Sequence, residues 1–282
     1  MDNLQKLEKE LYPFRTQDVN NLIEKKLGHI VTSSRMKLFT DCWTKLNSVW
    51  YIHRKIEELD GKYMNLGEAL LKLKEDQIKQ RPYIHPIKEY EYRYEAYCEA
   101  GEIEHLFFQA KACADIFARA IGSVFATSLP KNISKLIKIL QVLRCSEKKQ
   151  KAQKILKEIE KNKKFLRGVI MPPEQPNKNP KSLRDISTHY ERLDVWFKIR
   201  LPGGRHESGV FGGFINTRGV LVQNFKAVNV SRDLWFGLKR MVENSYSILS
   251  EDEGHLNIPV FVNNQNVLNK KLPIQTSILN RF

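Results

Sequence analysis

The chain has 282 residues, of which 41% are hydrophobic and 28% charged; that ordinary globular balance argues against disorder throughout and permits one large domain or two small ones. A formal net charge of +15 and a pI near 9.6 favour encounter with phosphate-rich or acidic partners without dictating a fold. The most apolar long segment, Leu106 to Thr127, carries Lys111, Asp115 and Arg119, charges too costly for a single membrane span.

In chain order, helix follows helix for the first two-thirds. Ser34 is placed to cap a helix reaching about Asp60, with Leu38, Cys42, Leu46, Val49 and Ile52 at spacings of three and four. A shorter helix is predicted from about Leu66 to Gln80, ended by Arg81-Pro82. Tyr90, Tyr92, Tyr94 and Tyr97 crowd the segment from Pro86 to Ala100, which Gly101 is expected to interrupt. Ile103 to Ala126 reads as a central, buried helix, stopped by Pro130.

A basic stretch begins there. Lys131 to Gly168 holds 13 Lys or Arg against Glu147, Glu158 and Glu160. Ile133, Leu136, Ile137 and Leu140, then Ile155, Leu156 and Ile159, keep an apolar stripe along it. Two readings stay open: two helices with solvated outer faces, or a surface that meets phosphate. Met171 to Pro180 is a proline-rich loop, after which Ser182 can cap a short helix to about Leu193. Val195–Leu201, Val210–Ile215 and Val220–Phe225 are predicted strands, and Leu234–Leu249 returns to helix.

The expected fold class is therefore mostly α, a helical bundle with a short antiparallel hairpin or meander in the C-terminal third. The expected division is an N-terminal helical segment (1–60), a helical domain (61–250) with a β insertion at about 195–226, and an extended or poorly ordered tail (251–282). The polar start, Met1-Asp2-Asn3, lacks the basic and apolar run of a signal peptide. Cys42, Cys98, Cys113 and Cys145 are scattered without a CxxC. A cytoplasmic protein with reduced thiols is expected, with no membrane association, no metal site and no cofactor. His53, His85 and His105 lack metal-ligand spacing, and the glycines from Gly203 to Gly213 form neither a P-loop nor a dinucleotide fingerprint.

One segment carries chemistry. Ser182-Leu183-Arg184-Asp185-Ile186-Ser187-Thr188-His189-Tyr190 holds an arginine and a histidine with four residues between them. A second pair, Arg200 and His206 with five residues between them, spans Pro202-Gly203-Gly204 and cannot lie on one helix. The first resembles the signature of the HEPN superfamily (higher eukaryotes and prokaryotes nucleotide-binding domains), in which Asn, Asp or His commonly follows the arginine; here it is Asp185. The order of helices, motif helix, strands and closing helix, from about 101 to 249, is similar to that of bacterial HEPN proteins of toxin and phage-defence systems.

The resemblance implies a metal-independent endoribonuclease acting on RNA, a homodimer with two motifs meeting across its axis, and an antitoxin protein as a further partner. His189 would be general base or acid, Arg184 the phosphate clamp and Asp185 an orienting group, with Ser187, Thr188 and Tyr190 as substrate contacts. Histidine titrates near neutrality and arginine forks onto two oxygens, which suits 2′-hydroxyl attack on a phosphate. Lys148, Lys149, Lys151 and Lys154 are candidate backbone contacts. Two other readings remain: a basic RNA- or nucleotide-binding helical protein without catalysis, and a protein-interaction module whose lysines reflect only composition. In those, Arg184 pairs with a carboxylate such as Glu191 and His189 is a surface histidine.

Overall fold

The structure, a computed structural model, describes residues 21–71 except 22 and 26, then 86–143, 146–172, 181–189, 192–198, 209–215 and 221–250. Its elements are α1 (Ser33–Leu71), α2 (Pro86–Phe125), α3 (Ile133–Val142), α4 (Ser146–Asn162), a 3-10 turn (Lys163–Phe165) and α5 (Leu183–His189). Then come β1 (Arg192–Lys198), β2 (Gly209–Ile215), β3 (Leu221–Lys226) and α6 (Ala227–Leu249). The fold is mostly helical with a small three-stranded antiparallel sheet in the C-terminal third, as the sequence led us to expect. The segments 1–20, 72–85 and 251–282, and the Arg200–His206 pair, lie outside the described residues.

Phe39, Cys42, Trp43, Leu46, Val49, Ile52 and Ile56 form one buried stripe on α1, too wide to hide against a single neighbour. Two helices cover it, both antiparallel to α1. On one side, Cys42 and Cys113 exchange thiol bonds to each other's carbonyls, Lys45 reaches Gln109 at 3.0 Å and Lys55 pairs with Glu102 at 2.8 Å, which runs α2 backward along α1. On the other, the Tyr246 hydroxyl donates to the Phe39 carbonyl at 3.0 Å and His53 meets Ser231 at 3.0 Å, which does the same for α6. α4 lies antiparallel on α6 through Ala152, Ile155 and Ile159, with Asn244 bonded to Glu158.

The strands form a meander in the order β1-β2-β3, with Lys198 opposite Gly209 and Phe211 opposite Lys226. Asp60, buried in the second half of α1, accepts the Val210 amide at 2.8 Å and lies 3.9 Å from the Lys226 ammonium. Gly209 has φ +138°, and a Cβ there would collide with the Asp60 carboxylate. The position thus needs glycine on both conformational and steric grounds. Phe107 and Phe225, 6.1 Å between ring centroids, hold the sheet to α2.

Two expected helix breaks are absent. Gly61 lies inside α1 and Gly101 inside α2. A helical glycine costs roughly 1 kcal/mol, less than burial returns from Ile56, before Gly61, or from Ile103 and Leu106, after Gly101. The boundary expected at 60/61 falls inside α1, and residues on both sides of it share one apolar cluster. α6 begins at Ala227, ahead of the expected Leu234, because Ala227, Val228 and Ser231 are buried there. α5 ends at His189 and Leu193 belongs to a strand, although the helix was expected to reach it.

Candidate functional site

The motif helix is pinned at its start. Ser182 caps it: its hydroxyl accepts from the Asp185 amide at 3.2 Å and donates to the Asp185 carboxylate at 2.8 Å, a side-chain variant of the capping box. The next two amides, of Leu183 and Arg184, donate to the Gly168 and Val169 carbonyls at 2.8 and 2.9 Å. Those carbonyls belong to the tight turn after the 3-10 helix, where Gly168 takes φ +79°.

Asp185 and Arg184 form an ion pair at 3.0 Å with side chains 35% and 25% exposed. Burial works against the Asp185 charge, but the Ser182 and Arg184 hydrogen bonds outweigh it and hold the carboxyl below its usual range. The Arg184 guanidinium lies 5.5 Å from the ring centroid of Phe108 on α2, within cation–π reach. Phe108 is itself 44% exposed. Arginine and aromatic face thus form one partly solvated platform.

Of the expected site residues, the structure brings Arg184 and Asp185 together. Ser187, Thr188 and His189 continue the same helix, but their side chains, and Tyr190 and Glu191 entirely, lie outside the described residues. Leu183 is buried in the core, and Ile186 is half-buried against it.

The basic stretch divides. α3 buries Ile133, Leu136 and Leu140, α4 buries Ala152, Ile155 and Ile159, and Lys135, Lys138, Lys149, Lys154, Lys157 and Lys161 face outward. Lys148 Nζ donates to the Val124 carbonyl at 3.0 Å in the last turn of α2. Lys151 Nζ donates to the Leu249 carbonyl, the last of α6, also at 3.0 Å. Both ammoniums meet helix C-termini, where unpaired carbonyls and the dipole attract a cation. These two of the four candidate lysines therefore join helices within the fold, and Lys149 and Lys154 keep to the outer face.

Packing also perturbs two titratable groups that the sequence does not mark as such, the buried His53 and the half-buried Glu243. His53 Nδ1 lies 3.0 Å from the Ser231 hydroxyl, which is also 3.0 Å from the Val228 carbonyl, and Nε2 lies 3.5 Å from Glu57. Burial lowers the His53 pKa to about 4, with Glu57 opposing the shift. On α6, burial raises the Glu243 carboxyl to about 7, partly relieved by Lys239 one turn away. Glu243 Oε1 is sealed from solvent with no hydrogen-bond partner among the described residues.

Among the described residues, no group of three or more His, Cys, Asp or Glu is placed to hold a metal ion, and no helix is long and apolar enough to cross a membrane. No protein-family model, curated protein or solved structure matches the chain.

Proposed function

We propose that this chain is a HEPN-type endoribonuclease that cleaves RNA without a metal, with Arg184 as phosphate clamp and His189 as proton-transfer group. The observation that supports the reading most is the platform at the start of α5: Arg184 held by Asp185 over the exposed Phe108 ring, on the helix that ends in His189. A guanidinium positioned by a carboxylate presents a fixed fork to phosphate oxygens. An exposed aromatic beside it can stack a base.

In the proposed reaction, neutral His189 takes the 2′-hydroxyl proton. The 2′-oxygen bonds to the adjacent phosphorus, the bond to the 5′-oxygen breaks, and that oxygen takes a proton from the second histidine of the dimer. The products are a 2′,3′-cyclic phosphate and a 5′-hydroxyl. Residues five apart on a helix lie about 140° from each other, so one copy cannot grip a phosphate from both sides; a homodimer closes the groove. A cytoplasmic location, a toxin or phage-defence role and an antitoxin partner belong to the same reading.

The outward lysines of α3 and α4 favour a second reading, an RNA-binding protein without catalysis. One experiment separates the two. Purified protein incubated with single-stranded RNA in EDTA is expected to leave cyclic-phosphate ends, and His189→Ala to lower the rate by roughly 10²–10⁴. Undiminished cleavage in that variant, or cleavage abolished by EDTA, overturns the nuclease reading; binding without cleavage leaves the second.

A further inference from the structure

α2 keeps one face uncovered. At about 100° per residue, Phe108, Ala112, Asp115 and Arg119 fall within about 60° of one another. Beyond Phe108 this face opens into a cleft of about 450 Å³ between α2 and the connection to α3. Its floor is apolar, made by Ala112, Ile116, Leu129 and Pro130, and its rim carries Asp115, Arg119 and Lys131. The cleft is shaped by a close approach. A Cβ on Gly122 would run into the Pro130 ring, so glycine lets the connection lie flat on the helix. Arg35 braces that end of α2 by donating to the Ser123 carbonyl at 2.5 Å.

The charge at the rim is not balanced internally. Asp115 is already held by Lys111 at 2.6 Å. Arg119 and Lys131 are exposed, and neither has a partner among the described residues. Two available cations above an apolar floor suit a ligand with a flat hydrophobic part and an attached phosphate, and the volume falls in the range of small-ligand sites. Phe108 lies eleven residues from Arg119, about 16 Å along the axis, and Lys131 leads on to the exposed Lys135 and Lys138 of α3.

We propose that this cleft seats a nucleotide of a single RNA strand running along α2, its base on the apolar floor and its phosphate between Arg119 and Lys131. The inference rests on the reading that RNA meets the Arg184–Phe108 platform, and adds a second binding position to it. It makes the site a reader of unpaired strand, because a base can reach the floor only when unstacked from a duplex.

Fluorescence anisotropy with a labelled dinucleotide and a labelled single-stranded octanucleotide tests it. Wild type is expected to bind the longer RNA more tightly. Arg119→Glu with Lys131→Glu should lower octanucleotide affinity about tenfold or more and reduce the log–log salt slope by about 0.7, the value for one phosphate, while dinucleotide affinity stays unchanged. Both positions are solvent-facing, and an unchanged melting temperature shows that the fold is kept. A double variant that binds the octanucleotide with wild-type affinity and slope overturns the cleft proposal alone. Failure of wild type to bind either RNA overturns the platform reading and this inference with it. A nucleoside monophosphate that binds wild type and not the double variant, with octanucleotide affinity unaffected, would replace the strand by a free nucleotide; inorganic phosphate serves as the control lacking a base.

Discussion

His53, buried, and Glu243, half-buried with one carboxylate oxygen sealed, titrate in opposite senses, and removing one should expose the other. In the folded chain Glu243 titrates near 7 against the usual 4.5. Between those values the native state holds a proton that the unfolded state has lost, so stability falls as pH rises. His53 titrates near 4 against the usual 6.5. There the unfolded state holds the extra proton, and stability rises with pH. At about 1.4 kcal/mol per pH unit, each effect amounts to about 3 kcal/mol over its whole range. From pH 4.5 to 6.5 the two slopes cancel in wild type.

Ser231, the partner of His53, is twelve residues from Glu243 on α6, about 18 Å along the axis, far enough for the effects to add. Glu243→Gln keeps the shape and removes the titration. Relative to wild type, its stability should climb by about 2 kcal/mol between pH 4.5 and 6.5, and His53→Gln should drop by about as much over the same window. Urea unfolding followed by circular dichroism at half-unit pH steps measures this, and taking differences from wild type cancels every other group. A Glu243→Gln curve parallel to wild type would refute the reasoning, whatever its constant offset.

Other outcomes are equally definite. Arg184→Lys keeps the charge but loses the fork and the stacking on Phe108, and should lower RNA cleavage at least tenfold with the melting temperature unchanged; equal rates would remove Arg184 from the site. Lys151→Met should cost about 0.5–1 kcal/mol in urea unfolding, because the Leu249 carbonyl at the end of α6 loses its cation, and should leave RNA affinity within twofold. Lys149→Glu with Lys154→Glu should do the reverse, flattening the salt dependence of RNA binding; a phosphate surface elsewhere would leave that slope intact. Gly209→Ala should destabilise by at least about 1 kcal/mol, since φ +138° and the Asp60 carboxylate both exclude a side chain. Ile186→Glu should give folded, inactive monomers by analytical sedimentation, and a wild-type protein that cleaves RNA as a monomer would contradict the composite groove.

The sequence by itself determined what depends on near neighbours. The stripes of α1, α3 and α4 were legible because burial repeats with the period of the element. Ser182 was legible as a cap because capping acts over three residues, and the Arg184–His189 motif because it stands on one helix. Only the tertiary structure could decide what depends on which surface is covered by what. Gly61 and Gly101 look like breaks locally, yet both helices run through them, with Ile56 buried before the first and Ile103 and Leu106 buried after the second by partners distant in the chain. Phe108 sits in the run Leu106-Phe107-Phe108, in which composition marks all three residues as core; the packing of α2 sends the first two inward and the third out beneath Arg184. Lys148 and Lys151 look like any other lysines of a basic run until the ends of α2 and α6 arrive beside them. The histidine and carboxylate that titrate far from their usual values do so through desolvation, and desolvation is imposed by atoms remote in the chain.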